Sequence, residues 1–436
     1  MNARPPSACG DVMTPTTAPP SMAPRSTTLA SGSEWRVILP MMVIVLFVMS
    51  GMGMVIPVLS LYAQSFGVGS VLVGTIITAF GVARLFVNLP AGILAERHGR
   101  RVLLWGGPLI LAAASVAAAL TESFLPLLVW RFVQGVGSGL YMTGAMIAIA
   151  DLSDERTRGR RMGAYQTALL TGTAIGPAVG GLLAGRWGYT APFWGFAAVS
   201  ALAALFAFAC IPETRPARSR GTSSAAAGRG DLARLVRDRG FTLVSLITFG
   251  VFFTRTAAQW QLIPLLAAHR FGMAPDAIGW ALALSAAMTL VATPLSGWLA
   301  DRLPRRPLIA ASALLVALAL ALIAACESVP LFWAALMLLG VALAIGAPAA
   351  SAFAASRAPA GRFGPTLGLL RTVGDVGFVA GPLAVGLVID ATGLGYGAGV
   401  LANAALMAAA AVAFAAFSGP RTPPSPIPSP NEEPLP

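Results

Sequence analysis

The amino-acid sequence predicts an all-α polytopic membrane protein, with twelve transmembrane helices arranged as two pseudo-symmetric six-helix bundles. Three observations carry that expectation. Of the 436 residues, 56% are hydrophobic and 11% charged, against about 25% charged in an ordinary soluble domain. Twelve apolar stretches follow one another, each about 20 residues long, which is the length that crosses a hydrocarbon core of about 30 Å. Two motifs in the first half recur 205 residues later, the mark of a duplicated six-span unit.

Residues 1–34 are rich in Pro, Ser, Thr and Ala and hold no apolar run of signal-peptide type, so they read as a disordered cytoplasmic tail. The spans follow at about 36–62, 71–95, 102–121, 124–149, 163–185, 190–211, 241–267, 277–300, 307–325, 331–355, 366–389 and 395–417. Trp35, Trp187 and Tyr189 stand at span ends, where amphipathic aromatics are favoured. The amino-terminal bundle is expected over 35–214 and the carboxy-terminal bundle over 241–417. Between them, 215–240 forms a basic linker with seven arginines. Its last part, Asp231 to Arg239, reads equally as a short amphipathic surface helix or as solvated chain. Residues 418–436 are rich in proline and read as an extended, disordered tail.

The formal charge is +12, and every basic residue is arginine. With the amino terminus inside, 23 of the 29 arginines fall in cytoplasmic tails, loops and span boundaries. The opposite loops hold only Arg186 and Arg270. The positive-inside rule then places both termini in the cytoplasm, with a bacterial inner membrane as the expected location. It also accounts for the charge without a nucleic-acid partner. Cys9, Cys210 and Cys326 are far apart, and His98 and His269 are the only histidines. No metal site, disulfide framework or cofactor is expected. No acid–histidine constellation or phosphate-binding loop appears, which argues against an enzyme.

The chain's most ordered stretch is GAYQTALLTGTAIGPAVGG, from Gly163 through Gly172, Gly176-Pro177 and Gly180 to Gly181. In water such a helix would be weak, since Gly costs about 1 kcal/mol and Pro about 3 relative to Ala. In a bilayer the same residues let two helices approach closely. It recurs as Gly368, Gly377, Gly381-Pro382 and, one residue late, Gly386. A second motif, Gly92-Ile93-Leu94-Ala95-Glu96-Arg97-His98-Gly99-Arg100-Arg101, recurs as Gly297-Trp298-Leu299-Ala300-Asp301-Arg302-Leu303-Pro304-Arg305-Arg306.

These residues resemble the major facilitator superfamily over about 35–417. The loop motif is similar to the family's G-x-x-x-D-R-x-G-R-R, with Glu96 in place of Asp and, in the second copy, Pro304 in place of Gly. Gly163 to Gly181 matches the antiporter motif of the fifth span in full. Arg131-Phe132-Val133-Gln134-Gly135 resembles R-x-x-Q-G of the fourth span, and Pro212-Glu213-Thr214 the P-E-T ending of the sixth. The resemblance implies the major facilitator fold, a small-molecule substrate, alternating access and a role for Arg131 in proton coupling. A monomer is expected to suffice. It also implies a conformational latch at Gly92, Glu96, Arg97, Gly99, Arg100, Gly297, Asp301 and Arg302. There the carboxylates can accept charge-assisted hydrogen bonds from a facing helix end in one access state and lose them in the other.

Arg84, Arg131, Arg255, Arg371 and Asp375 fall within spans, where a charge costs about 2.5–3.5 kcal/mol on insertion scales. Asp375 is the one clear intramembrane carboxylate and the candidate coupling site. Arg371 stands four residues before it, so the two can form either a neutralising pair or a proton site. Arg84 and Arg255 are candidates for an anionic substrate group, for Asp375 in one state, or for backbone carbonyls. Tyr141, Tyr165, Gln166, Gln259 and Trp260 are candidate cavity contacts. Met41, Met42, Met49, Met52 and Met54 suit either a versatile cavity or packing. The expected activity is export of small, amphiphilic, drug-like compounds in exchange for protons. An importer or uniporter of a metabolite, and a membrane sensor or enzyme on the same scaffold, are the alternatives.

Overall fold

The computed structural model describes residues 31–153, 155–212, 235–359 and 362–418, with the side chains of 31–36, 155, 156 and 158 excepted. Most of both expected tails, most of the linker, the Trp35 side chain and Glu213-Thr214 lie outside the described residues. Twelve helices are long and apolar enough to cross a membrane. They are α1 (Ser31–Gln64), α2 (Ser70–His98), α3 (Arg100–Ala119), α4 (Phe124–Asp151), α5 (Glu155–Trp187), α6 (Ala191–Cys210), α7 (Arg239–Phe271), α8 (Pro275–Arg302), α9 (Arg305–Ala325), α10 (Val329–Ser356), α11 (Phe363–Thr392) and α12 (Gly395–Phe417). Most run longer than the apolar stretches that announce them, because helical hydrogen bonding continues past the hydrocarbon into polar residues. Of the segment Asp231 to Arg239, only its last five residues are described. Asp238 caps α7 by accepting the Phe241 N–H at 2.7 Å and pairs with Arg357 at 3.2 Å, which docks the start of α7 against the end of α10.

The duplication is visible in how the helices pair. In the first bundle α1 packs on α5 and α6, α3 on α4 and α6, and α2 on α4. In the second, α7 packs on α11 and α12, α9 on α10 and α12, and α8 on α10. The bundles meet through α5 with α8 and α2 with α11.

The glycine-proline stretch explains the first of these seams. Gly172, Gly176 and Gly180 lie against the α1 backbone at Leu46, Ser50 and Met54, where any Cβ would overlap a carbonyl oxygen. Gly377 and Gly381 meet α7 at Phe249 and Phe253 in the same way. Gly181 faces the other bundle: a Cβ there would sit 2.6 Å from the Pro275 carbonyl and 2.8 Å from Gly279 Cα. Its counterpart is Gly386, against Ser70 and Val71. Gly386 is therefore the equivalent of Gly181 at an unbroken 205-residue offset, not a late Gly180, whose place Val385 takes. Gly279 against the Pro177 carbonyl and Gly74 against the Pro382 carbonyl complete the symmetry.

These contacts form a gate at the end of the molecule away from Ser31 and Phe417. Asp390 of α11 accepts the Ser70 and Val71 N–H groups at the start of α2, at 3.1 and 3.0 Å. Gln64 donates to the Tyr396 hydroxyl at 2.7 Å and bonds His269 Nε2 at 3.0 Å. Gln261 donates to the Ser70 carbonyl, and Thr78 to the Val379 carbonyl. At the other end the bundles part. Gly163 is five turns from Gly181 on the same face of α5, yet a Cβ there would meet nothing within 4 Å; Gly368, five turns from Gly386, is equally free. A cleft thus opens on the side that carries Ser31 and Phe417.

Asp390 both caps α2 and ties the bundles, so its loss should weaken the gate. An N-cap carboxylate is worth about 1 kcal/mol, and this one is exposed. Asp390→Ala should raise the labelling rate of a cysteine at Thr78, from the gate side, by several-fold, with Asp390→Asn close to wild type. Equal labelling in Asp390→Ala would show that the cap does not hold the gate.

Candidate functional site

The cleft wall is built chiefly by the middles of α2, α7 and α11. Arg84 is the central residue of α2, and Asp375 falls near the middle of the 30-residue α11, about 18 Å from its start by helical rise. Arg255 occupies the middle of α7, where the helix departs from regularity. Residues Arg255–Leu262 form a π-helical segment, a widening that frequently marks functional sites. Three hydrogen bonds tie it to other helices: Ser60 of α1 donates to the Trp260 carbonyl at 2.9 Å, Thr256 donates to the Phe378 carbonyl of α11 at 3.0 Å, and Gln261 donates to the Ser70 carbonyl of α2 at 3.0 Å. Nothing in the sequence of this segment, which lacks Gly and Pro, announces the widening.

Arg371, Asp375 and Phe378 share one face of α11. Arg371 Nε lies 3.6 Å from Asp375 Oδ1, close enough for ionic attraction but longer than a normal hydrogen bond. Their side chains are 55% and 19% exposed, so the pair borders the open cleft. The Arg371 guanidinium lies 4.9 Å from the Phe252 ring centroid on α7. From α2, which packs directly on α11 at Gly81, the Arg84 guanidinium approaches the Phe378 and Phe80 rings at 5.7 and 6.0 Å. Trp260 packs edge-on against Phe378 at 5.2 Å. An aromatic floor of Phe80, Trp260 and Phe378 thus separates the cleft from the gate.

Arg131 has a different setting. It is 2% exposed, donates to Gln134 Oε1 at 2.7 Å and stands 4.8 Å from the Phe80 ring centroid. Gln134 passes the chain on to Ser115 of α3 at 2.9 Å. The R-x-x-Q-G spacing is therefore a buried polar chain behind Phe80, one helix removed from Arg84, in which Arg131 Nε has no acceptor among the described residues. Gly135 lets α4 close on α2, since a Cβ there would strike Phe80 and Ala83.

The remaining candidates separate. Tyr141 is 1% exposed and packed against Gly107 of α3; enclosed on all sides, it offers a ligand no surface in this conformation, which corrects its expected place in the cavity. Tyr165 is buried and donates to Met142 Sδ at 3.4 Å. Gln259 is half-buried in the π-helical segment, and Gln166 is exposed on α5. Met41, Met42, Met49 and Met54 are core residues. At the open end, Glu96, Arg97, Asp301 and Arg302 are exposed, and Gly92 and Gly297 have no neighbour at a Cβ position. Gly99 takes φ 89° at the turn between α2 and α3, a value that disfavours other residues. Arg100 is buried, pairs with Asp151 at 2.8 Å and donates to the Ala95 carbonyl. It fastens the loop to its own bundle. Arg302 lies over the Trp298 ring at 4.4 Å. No group of three His, Cys, Asp or Glu suited to a metal occurs among the described residues.

Comparison with known proteins agrees with this architecture. The sequence model of the Major Facilitator Superfamily matches residues 41–258 and 244–436. An uncharacterized MFS-type transporter, MJ1560 of Methanocaldococcus jannaschii, is 22% identical over 354 residues, covering 79% of this chain and 89% of that protein. The quinolone resistance protein NorA of Staphylococcus aureus is 25% identical over 171 residues, 39% of this chain and 44% of NorA. A bacterial homolog of the human lysosomal transporter Spinster, solved inward-facing and occupied, superposes with TM-score 0.73 at 17% identity, over 86% of this chain and 95% of that one. Duplicated helix pairing, recurring motifs and the family match agree: this multi-pass membrane protein belongs to the major facilitator superfamily and is a transporter.

Proposed function

We propose that the protein exports small amphiphilic organic compounds in exchange for protons, by rocking its two bundles about the central cleft. The observation that carries this reading is Asp375, a carboxylate near the middle of a membrane helix, at the cleft, with the loosely held Arg371 as its one ionic partner among the described residues. The complete glycine-proline stretch and the partial likeness to a quinolone resistance protein support outward transport. With the arginine-rich loops in the cytoplasm of a bacterial inner membrane, the present conformation faces inward and admits substrate from the cell. A proton arriving from outside neutralises Asp375, loosens its hold on Arg371 and favours the opposite state. On return, Glu96 and Asp301 give up the helix-end contacts they make when the cytoplasmic side is closed, and Arg131 with Gln134 braces the aromatic floor throughout. A monomer contains every group this cycle uses.

The test is an efflux screen across chemically diverse compounds, in cells with and without a protonophore. Extrusion of at least one amphiphilic compound that stops on adding protonophore is the expected result. Accumulation of a metabolite driven inward by the same gradient would replace export with import.

A further inference from the structure

The charge of the cleft says what it is built to take. Three guanidinium groups surround one patch of α11. Arg371 stands on its face, two turns before Phe378. Arg84 reaches the Phe378 ring from α2. Arg255 leaves α7 next to Thr256, whose hydroxyl bonds the Phe378 carbonyl, and one turn after Phe252, which underlies Arg371. Arg84 is within Coulombic reach of both Arg371 and Asp375, and Arg255 of Arg371. Against these stands one carboxylate, Asp375, already beside Arg371. Arg84 and Arg255 have no hydrogen bond or ion pair among the described residues, and Arg84 Nε is withdrawn from solvent without an acceptor. Arginines nearer the span ends are satisfied: Arg100 by Asp151, Arg357 by Asp238, Arg270 by the Ala324 carbonyl.

We propose that the transported compound is an organic anion with an apolar body, its carboxylate or sulfonate drawn to the cluster of Arg84, Arg255 and Arg371. The open cleft lets water solvate the two free guanidiniums. Closing it around them strips that water, and a buried cation without a counter-charge is strongly disfavoured. An anion supplies both the charge and the acceptors that a guanidinium fork is shaped for. A cation would meet two unpaired positive groups. Phe252, partly exposed beneath Arg371, offers the apolar body a surface beside the charged end. This deepens the reading above and rests on it in one respect, that the cleft is the substrate site.

The test uses the full chain purified in an uncharged detergent, with fluorescence polarisation of two xanthene dyes of similar size: fluorescein, an anion, and rhodamine 123, a cation. Fluorescein should bind at least tenfold more tightly than rhodamine 123, a comparison that needs no variant. Arg84→Gln and Arg255→Gln should each weaken fluorescein binding at least tenfold, Arg84→Lys should weaken it less, and Arg306→Gln, at the start of α9 and bonded to Ser418, should leave it unchanged. Equal or tighter binding of rhodamine 123, no binding of fluorescein, or fluorescein binding indifferent to both glutamine variants overturns the proposal. Binding in detergent involves no gradient and no direction. Fluorescein binding without proton-driven uptake into everted vesicles would sink the exporter reading alone; proton-driven rhodamine 123 uptake without fluorescein binding would sink the anion proposal alone.

Discussion

A leucine at Gly180 is expected to prevent the amino-terminal bundle from folding, whereas a leucine one residue later, at Gly181, is expected to leave it folded and spring the gate. Both follow from what a side chain would meet. At Gly180 the obstacle is the Met54 backbone of α1, part of a seam that persists in every state because α1 and α5 belong to one rigid bundle. Overpacking costs about 1–3 kcal/mol where side chains can shift, and occasionally more; a backbone obstacle that cannot shift belongs at the upper end. At Gly181 the obstacles are Pro275, Asp276 and Gly279 of the other bundle, which are neighbours only while the gate is closed. The same penalty then falls on one conformation. Each 1.4 kcal/mol shifts the balance between conformations about tenfold. Monodispersity and melting temperature after extraction should collapse for Gly180→Leu and hold for Gly181→Leu. Labelling of a cysteine at Thr78 by an impermeant maleimide, in a background without the native cysteines, should rise at least tenfold in Gly181→Leu alone. If both variants behave alike, the division of the stretch into seam and gate is wrong.

Removing the Asp375 charge is expected to uncouple transport from the proton gradient without emptying the cleft. Asparagine keeps the shape of the side chain, so Arg371 can remain over Phe252, but it has no proton to take up or release. With the membrane potential collapsed, a one-for-one exchanger holds about a tenfold substrate gradient per unit of pH difference. Asp375→Asn should lose that gradient entirely in everted vesicles while still equilibrating substrate downhill. Asp375→Glu, which keeps the titrating group at a different reach, should recover part of it. If gradient-driven accumulation survives in Asp375→Asn, another group carries the proton.

Much of this architecture is legible in one dimension. Span number follows from runs of apolar residues, because a bilayer penalises each charge wherever the helix turns it. Duplication follows from a constant offset, and Arg84, Arg131, Arg255, Arg371 and Asp375 stand out because charges within spans are costly. The glycine-proline stretch likewise shows that two helices come close. It does not say which two. That depends on a one-residue difference in helical phase, which sends Gly180 to α1 and Gly181 to α8.

The gate lies beyond the reach of pattern. Gln64, Asp390, Tyr396 and His269 are ordinary polar residues at span ends, and only the fold brings Gln64 to a histidine 205 positions away. The same holds for Ser115 behind Arg131, for the π-helical segment that places Arg255, and for the enclosure of Tyr141, a candidate cavity contact by residue type alone. Sequence by itself determined the membrane class, the two halves and the inventory of costly charges, since each is a property of local chemistry against lipid. Tertiary structure decided which charges share a cleft, which glycines are seam or gate, and which end is open, because these depend on distances between helices that the chain order does not encode.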